Sequence, residues 1–374
     1  MHRSIAKSLL AVVALATFVV PACGDLVIPS NSTDDGGGDD DSSTGLGAGD
    51  DVSVDARPPP DCEAGTDPVA LACTGLYANW TQLALASDVQ PYQPGATMWA
   101  DGADSSRWIW LPPGQKIDTT DLNNWSFPVG TKIWQEFRLL GQRIETRFLW
   151  KEATSIWFRA TFAWTDDQSA APAVTTGVPN ARGLPYEIPP VSDCEKCHGG
   201  AKDFVLGFEM VGLSMPQSSG LNLQALVQDK ALSNPPVASA SIPGTDPTTI
   251  GALAFLHANC GTSCHNANPN AGASVYGLLL KLTADATGAL PSSAQQTDTW
   301  TTAYKVPSNL TPYGYDAGGF WRIAPGDVAH SSIYWTASRR DGVVQMPPIA
   351  THLVDQDDMA LLNTWIRSMA SDSD

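Results

Sequence analysis

The chain has 374 residues and a net charge of −18, with 39 Asp and Glu against 21 Lys and Arg. That length holds roughly two or three domains, and such acidity argues against nucleic acid as a partner.

Residues 1–22 read as a secretion signal, with Arg3 and Lys7 followed by an apolar run from Leu9 to Val20. The run is too short to serve as a permanent transmembrane anchor. It ends in Val20-Pro21-Ala22-Cys23, a pattern like that of bacterial lipoprotein signals, where Cys23 becomes the lipidated first residue. Ordinary cleavage after Ala22 is the alternative. Either route takes the chain to the periplasm or cell envelope, with the membrane as a partner if Cys23 carries lipid.

Residues 23–63 are expected to form a disordered acidic linker. Ten aspartates there face the single arginine Arg57 and supply half of the net charge. Too few large apolar residues are present to offset the entropy of ordering. Cys62 and Cys73 are close in sequence, in an oxidising compartment, and are expected to form a short-loop disulfide.

Residues 64–190 carry β-signals. Trp108–Leu111 runs into the turn Pro112-Pro113-Gly114, and Lys132–Leu140 reverses at Gly141-Gln142 into Arg143–Lys151. A second reversal at 152–155 leads into Ile156–Trp164. Rough alternation along these runs predicts a twisted antiparallel meander in a sandwich-like domain. Its many tryptophans either fill a core or line a face that grips a polymer.

After residue 190 short helical segments replace strands. Residues 191–245 hold the first of two cysteine motifs, and residues 246–374 hold the second. The pattern predicts helices over Leu221–Leu232 and Thr249–Asn259, the second delivering His257 and Cys260. A last helix is capped by Asp355, with Leu362, Trp365, Ile366 and Met369 on one face.

Cys194-Glu195-Lys196-Cys197-His198 has the spacing of covalent haem attachment. Each thiol adds to a porphyrin vinyl group, and His198 stands where its imidazole meets the iron. Zinc is the alternative, but residues 194–198 supply three ligands where a structural site closes with four. Cys260-Gly261-Thr262-Ser263-Cys264-His265 repeats the motif with one extra residue between the thiols. A disulfide between Cys260 and Cys264 is the alternative there. Two haem c groups, one lipid and one disulfide account for all seven cysteines. Met346, in Gln345-Met346-Pro347-Pro348, is the candidate sixth ligand of the second haem. Met210, Met215, His257, His330 and His352 remain open candidates for the first.

Trp99-Ala100-Asp101-Gly102 through Arg107, Phe127-Pro128-Val129-Gly130-Thr131, Ile144-Glu145-Thr146-Arg147, the 194–198 motif and the Arg322–Ile366 tail together resemble a family of bacterial dihaem c-type cytochromes. The resemblance spans about residues 90–370. It implies a β-rich N-terminal domain followed by two haem-binding segments, and the whole chain is expected to be α+β: a disordered acidic tether, an antiparallel β-rich domain, then a mainly α-helical cytochrome c-like region. It further implies His198 and His265 as proximal ligands and Met346 as a distal one. The extra residue of the second motif departs from the pattern.

The expected function is electron transfer through two covalent haems, with redox proteins as partners. Two alternatives stand beside it. One is a haem-dependent oxidoreductase, peroxidase-like or substrate-oxidising, with an open iron and His257, His330 or Glu209 as distal group. The other is a Trp-rich polymer-binding module with auxiliary haems.

Overall fold

Alternating side chains build a sheet whose two faces are both apolar, and this dictates a layer on each side of it. The computed structural model describes residues 62, 66–238, 240–310 and 319–369. The signal segment, the lipidation site Cys23 and the acidic linker up to residue 61 lie outside the described residues.

Strands β1 (Tyr77–Asn79) and β2 (Ala84–Leu85) pair as a small ribbon. Strands β3 (Gln90–Gln93), β4 (Asp104–Trp110), β5 (Lys132–Leu139), β6 (Gln142–Ala153), β7 (Ile156–Ala163), β8 (Ala173–Val174) and β9 (Ser219–Gly220) follow. They form one antiparallel sheet in the order β8-β7-β6-β5-β4-β3-β9. Between β5 and β6 the chain reverses through Leu140 and Gly141, at φ 51° and 76°. Two positive φ values in a tight hairpin match the right-handed twist of the strands, and glycine meets the second without strain.

Register assigns the faces. Trp108, Trp134 and Phe148 lie opposite one another on adjacent strands. With Phe162, Leu71 and Leu76 they make one core. Trp134 is fully buried and donates its Nε1–H to Thr74 Oγ1 at 2.9 Å. Burial of each such ring is worth about 1.5–3 kcal/mol. Trp108, Trp125, Trp134, Trp157 and Trp164 are buried, whereas Trp99, Trp110 and Trp150 are half-buried. The opposite face carries Ile109 and Ile133, which join Leu253, Leu256, Leu362 and Trp365 of the C-terminal half in a second core.

The second sheet of a sandwich is therefore reduced to the β1–β2 ribbon and its flanking loops. Helices and loops cover the other face instead. The observed class is mixed α+β.

The helices are short. They are α1 (Cys194–His198), α2 (Met210–Ser214), α3 (Leu223–Gln228), α4 (Pro247–Leu256), α5 (Asp298–Ala303), α6 (Ser332–Ala337) and α7 (Gln356–Ser368). Asp246 caps α4 by accepting from Thr249 N–H, and Pro247 opens the helix. Asp355 caps α7 by accepting from Asp358 N–H, and α7 buries Met359, Leu362, Trp365 and Ile366. A Cβ on Gly251 would stand 3.1 Å from Leu361 Cδ2, so the glycine lets α4 and α7 approach closely. Among the described residues no helix is long and apolar enough to cross a membrane. Cys62 and Cys73 are joined by a disulfide across a separation of 11 residues.

Candidate cofactor site

Helix α1 is a single turn that puts Cys194, Cys197 and His198 at i, i+3 and i+4, and hence on one side. His198 Nδ1 is 2.6 Å from the carbonyl oxygen of Phe204. A carbonyl only accepts, so Nδ1 carries the proton and Nε2 keeps its lone pair. This outer-shell bond fixes the tautomer and ring direction that a metal ligand needs. Burial, offset in part by that bond, pushes the His198 pKa down to about 4, so the ring stays neutral. The imidazole stacks on the Phe204 ring at 5.0 Å, and Arg159 lies over the same ring at 4.9 Å. Arg159 also pairs with Glu195 at 2.6 Å, tying α1 to β7.

The second motif begins where α4 widens. Residues 257–261 form a π-helical turn, with Thr262 N–H donating to the His257 carbonyl at 2.9 Å. His265 N–H likewise reaches the carbonyl five residues back, that of Cys260, at 2.8 Å. Such turns take up an inserted residue within a helix. Cys260, in this turn, and His265, just beyond it, both line one cavity.

That cavity has a volume of about 370 Å³, within the range of small-molecule sites. Its wall is mainly apolar, including Phe255, Leu256, Leu278 and Ile333, and it includes Met346. Met346 is 37% exposed and sits at the rim. Arg322 and Arg340 also line the cavity, and Arg340 Nε is buried without a hydrogen-bond partner among the described residues. Burial lowers the His265 pKa, with the Leu278 backbone opposing, and raises the Cys260 thiol to about 12. The Cys260 sulfur is therefore held as a neutral thiol.

Cys264 is turned away from the cavity. Its Sγ is 3.2 Å from Ser263 Oγ and 3.9 Å from the Lys196 carbonyl. The two motifs are therefore in contact, through Ser263, Cys264 and the chain at 196–200. All four motif cysteines are free thiols. Among the described residues no group of three His, Cys, Asp or Glu is gathered to hold a metal ion.

The donor set fits a haem in chemical type. It offers a thiol, an imidazole and a thioether lining one mainly apolar cavity, and a guanidinium with an unused donor at its wall.

The remaining candidates have other partners. His257 is buried, its Nδ1 accepting from Leu282 N–H at 2.9 Å. Its Nε2–H therefore donates to Glu209 Oε1 at 3.2 Å. Glu209 also caps α2, accepting from Val211 and Gly212 N–H. Neither ring nitrogen of His257 is open to iron. Met210 and Met215 are buried in the core shared by sheet and helices. His330 lies 2.6 Å from Asp327, and His352 lies 3.1 Å from Glu187.

Sequence reasoning assigned no role to several residues of the site. Ser263, inside the second motif, links it to the first, and Trp99 and Arg340 line the cavity. No local pattern marks these roles, because each is set by residues distant in the chain.

Compared with known proteins, the chain matches no protein-family model, no curated protein and no solved structure.

Proposed function

We propose that this chain is an exported dihaem c-type cytochrome that passes electrons between protein partners and is held at a bacterial membrane by lipid on Cys23. The single observation that carries the reading is that Cys260, His265 and Met346 line one cavity although 81 positions separate His265 from Met346. An imidazole and a thioether from opposite ends of a domain have no shared structural task in an apolar cavity. As axial ligands they do.

Cys194, Cys197 and His198 would hold one haem, and Cys260, Cys264, His265 and Met346 the other. Bound there, the group supplies a reversible one-electron couple. The protein's share is to tune and enclose it. His198 presents Nε2 because Phe204 accepts from Nδ1. The apolar residues around His265 would exclude water from a bound haem and so favour its reduced form. Attachment through Cys264 requires its side chain to rotate away from Ser263. The acidic surface would steer the chain toward basic protein partners.

A pyridine haemochrome assay and a redox titration of the matured protein test this reading. The expectation is covalent haem and two low-spin, six-coordinate centres that titrate reversibly. Absence of covalent haem would overturn it. Separately, Cys23→Ala should release the protein from membranes, and a protein that remains membrane-bound would remove the lipid anchor.

A further inference from the structure

Cys197 and Cys264 come from different motifs, yet the fold brings them to one hydroxyl. Ser263 Oγ lies 3.2 Å from Cys264 Sγ and donates to the Cys197 carbonyl at 3.1 Å. It also acts on the Cys197 thiol itself. Cys264 Sγ in turn lies 3.9 Å from the Lys196 carbonyl, in the peptide that leads into Cys197. The two segments are pressed together here, because a Cβ on Gly200 would collide with the Ser263 carbonyl.

Electrostatics rank the neighbours of Cys197 in the same way. Burial raises its pKa most, and after burial the Cys264 sulfur acts on it most strongly, ahead of Arg147, Ser263 and Cys194. Interaction between charges weakens with distance. The thiol that Cys197 senses most is therefore in the other motif, not on its own turn. Cys260 lines the apolar cavity, whereas Cys264 is turned out of it toward residues 196 and 197. Cys197 and Cys264 are both free and half-buried, within reach of a small reagent. A disulfide already joins Cys62 and Cys73, so thiols of this chain pair where they meet.

We propose that Cys197 and Cys264 form a reversible disulfide across the two motifs before any cofactor is attached. The oxidant is a small disulfide. One cysteine sulfur attacks it, loses its proton to water, and expels one half of the reagent as a thiolate. The second cysteine sulfur then attacks the mixed disulfide and expels the other half. Two protein S–H bonds and the reagent's S–S bond break, while one protein S–S bond and two reagent thiols form. The protein gives up two electrons and the reagent takes them. Cys264 must turn about its Cα–Cβ bond, off Ser263, to give the geometry a disulfide requires. Resting on the cytochrome reading above, the bond withdraws one thiol from each motif at once, so that reduction gates attachment at both.

The test uses the full chain produced without haem, incubated with oxidised glutathione, alkylated, and digested with trypsin without reduction. Trypsin cuts after Lys196 and so separates Cys194 from Cys197. Fragmentation of any joined peptide then tells Cys260 from Cys264. Mass mapping should find Cys197 joined to Cys264, with Cys194 and Cys260 alkylated, and dithiothreitol should part the pair. Cys264→Ser should abolish the link, and the Cys194→Ser, Cys260→Ser double variant should keep it. In denaturing urea the link should give way to pairs within each motif, because an unfolded chain favours the shorter loops. Any other pairing in the folded wild type, or four thiols left free, would overturn the proposal, whether or not a variant folds. No haem enters the measurement. Failure to find covalent haem in the matured protein would remove the cytochrome reading and leave this result standing.

Discussion

The Ser263 hydroxyl donates to the Cys197 carbonyl at 3.1 Å and so fastens the second cysteine motif to the first. Gly200 makes the approach possible. A Cβ there would fall inside the van der Waals radius of the Ser263 carbonyl oxygen. Asn268 closes the contact by donating to the Gly200 carbonyl at 3.1 Å. Overpacking at such a point costs about 1–3 kcal/mol. Gly200→Ala is therefore expected to lower the thermal midpoint while both attachment sites stay chemically intact. Denaturation alongside haem staining checks this, and an unchanged midpoint would mean the motifs are not pressed together.

Glu209 and His257 tie α2 to the end of α4. Burial alone would raise the Glu209 pKa, but His257 and the N–H groups of Gly212 and Val211 outweigh it and hold the carboxyl below its ordinary value. A carboxylate with a depressed folded pKa stabilises the fold above its unfolded pKa. That stability is lost as pH falls through the acid range below it. Glu209→Gln should cost about 1–3 kcal/mol at neutral pH and flatten the acid side of the stability profile. Denaturant titrations of both proteins at neutral and acid pH measure it. Parallel pH profiles would contradict the pairing.

Met346 lines the same cavity as Cys260 and His265. If its sulfur ligates the second haem, Met346→Ala opens a coordination position. Axial ligands set haem potentials over about 0.8 V, so a drop on the order of 0.1 V in one centre is expected. Carbon monoxide should then bind that centre in the reduced protein. A variant that keeps both potentials and still ignores carbon monoxide would remove Met346 from the ligand set.

Much of the fold is legible in the sequence because single residues decide it locally. Asp355 reads as a helix cap and accepts from Asp358 N–H, since a carboxylate before an apolar periodic run has few other uses. Lys132–Leu140 and Arg143–Lys151 read as a hairpin because strand formers flank Gly141. What the sequence hides is set by side chains far apart. Nothing adjacent to His257 announces Glu209 or Leu282, so a buried histidine near a cysteine motif looks available for iron when both nitrogens are taken. The helical layer over the sheet is hidden for the same reason. Apolar residues on both faces of β5 are compatible with a sandwich, and only the distant partners Leu253 and Trp365 reveal that helices do the covering. The motif spacing of 260–265 is visible, but the π-helical turn beside it is a property of backbone bonds five residues apart.

The central claim is that two haem groups are covalently attached, one at Cys194 and Cys197 and one at Cys260 and Cys264. The most direct measurement is the intact mass of the matured wild-type protein beside that of the Cys260→Ala, Cys264→Ala double variant. The expected mass increment is two haems for the wild type and one for the variant. A wild-type increment of one haem or none would contradict it.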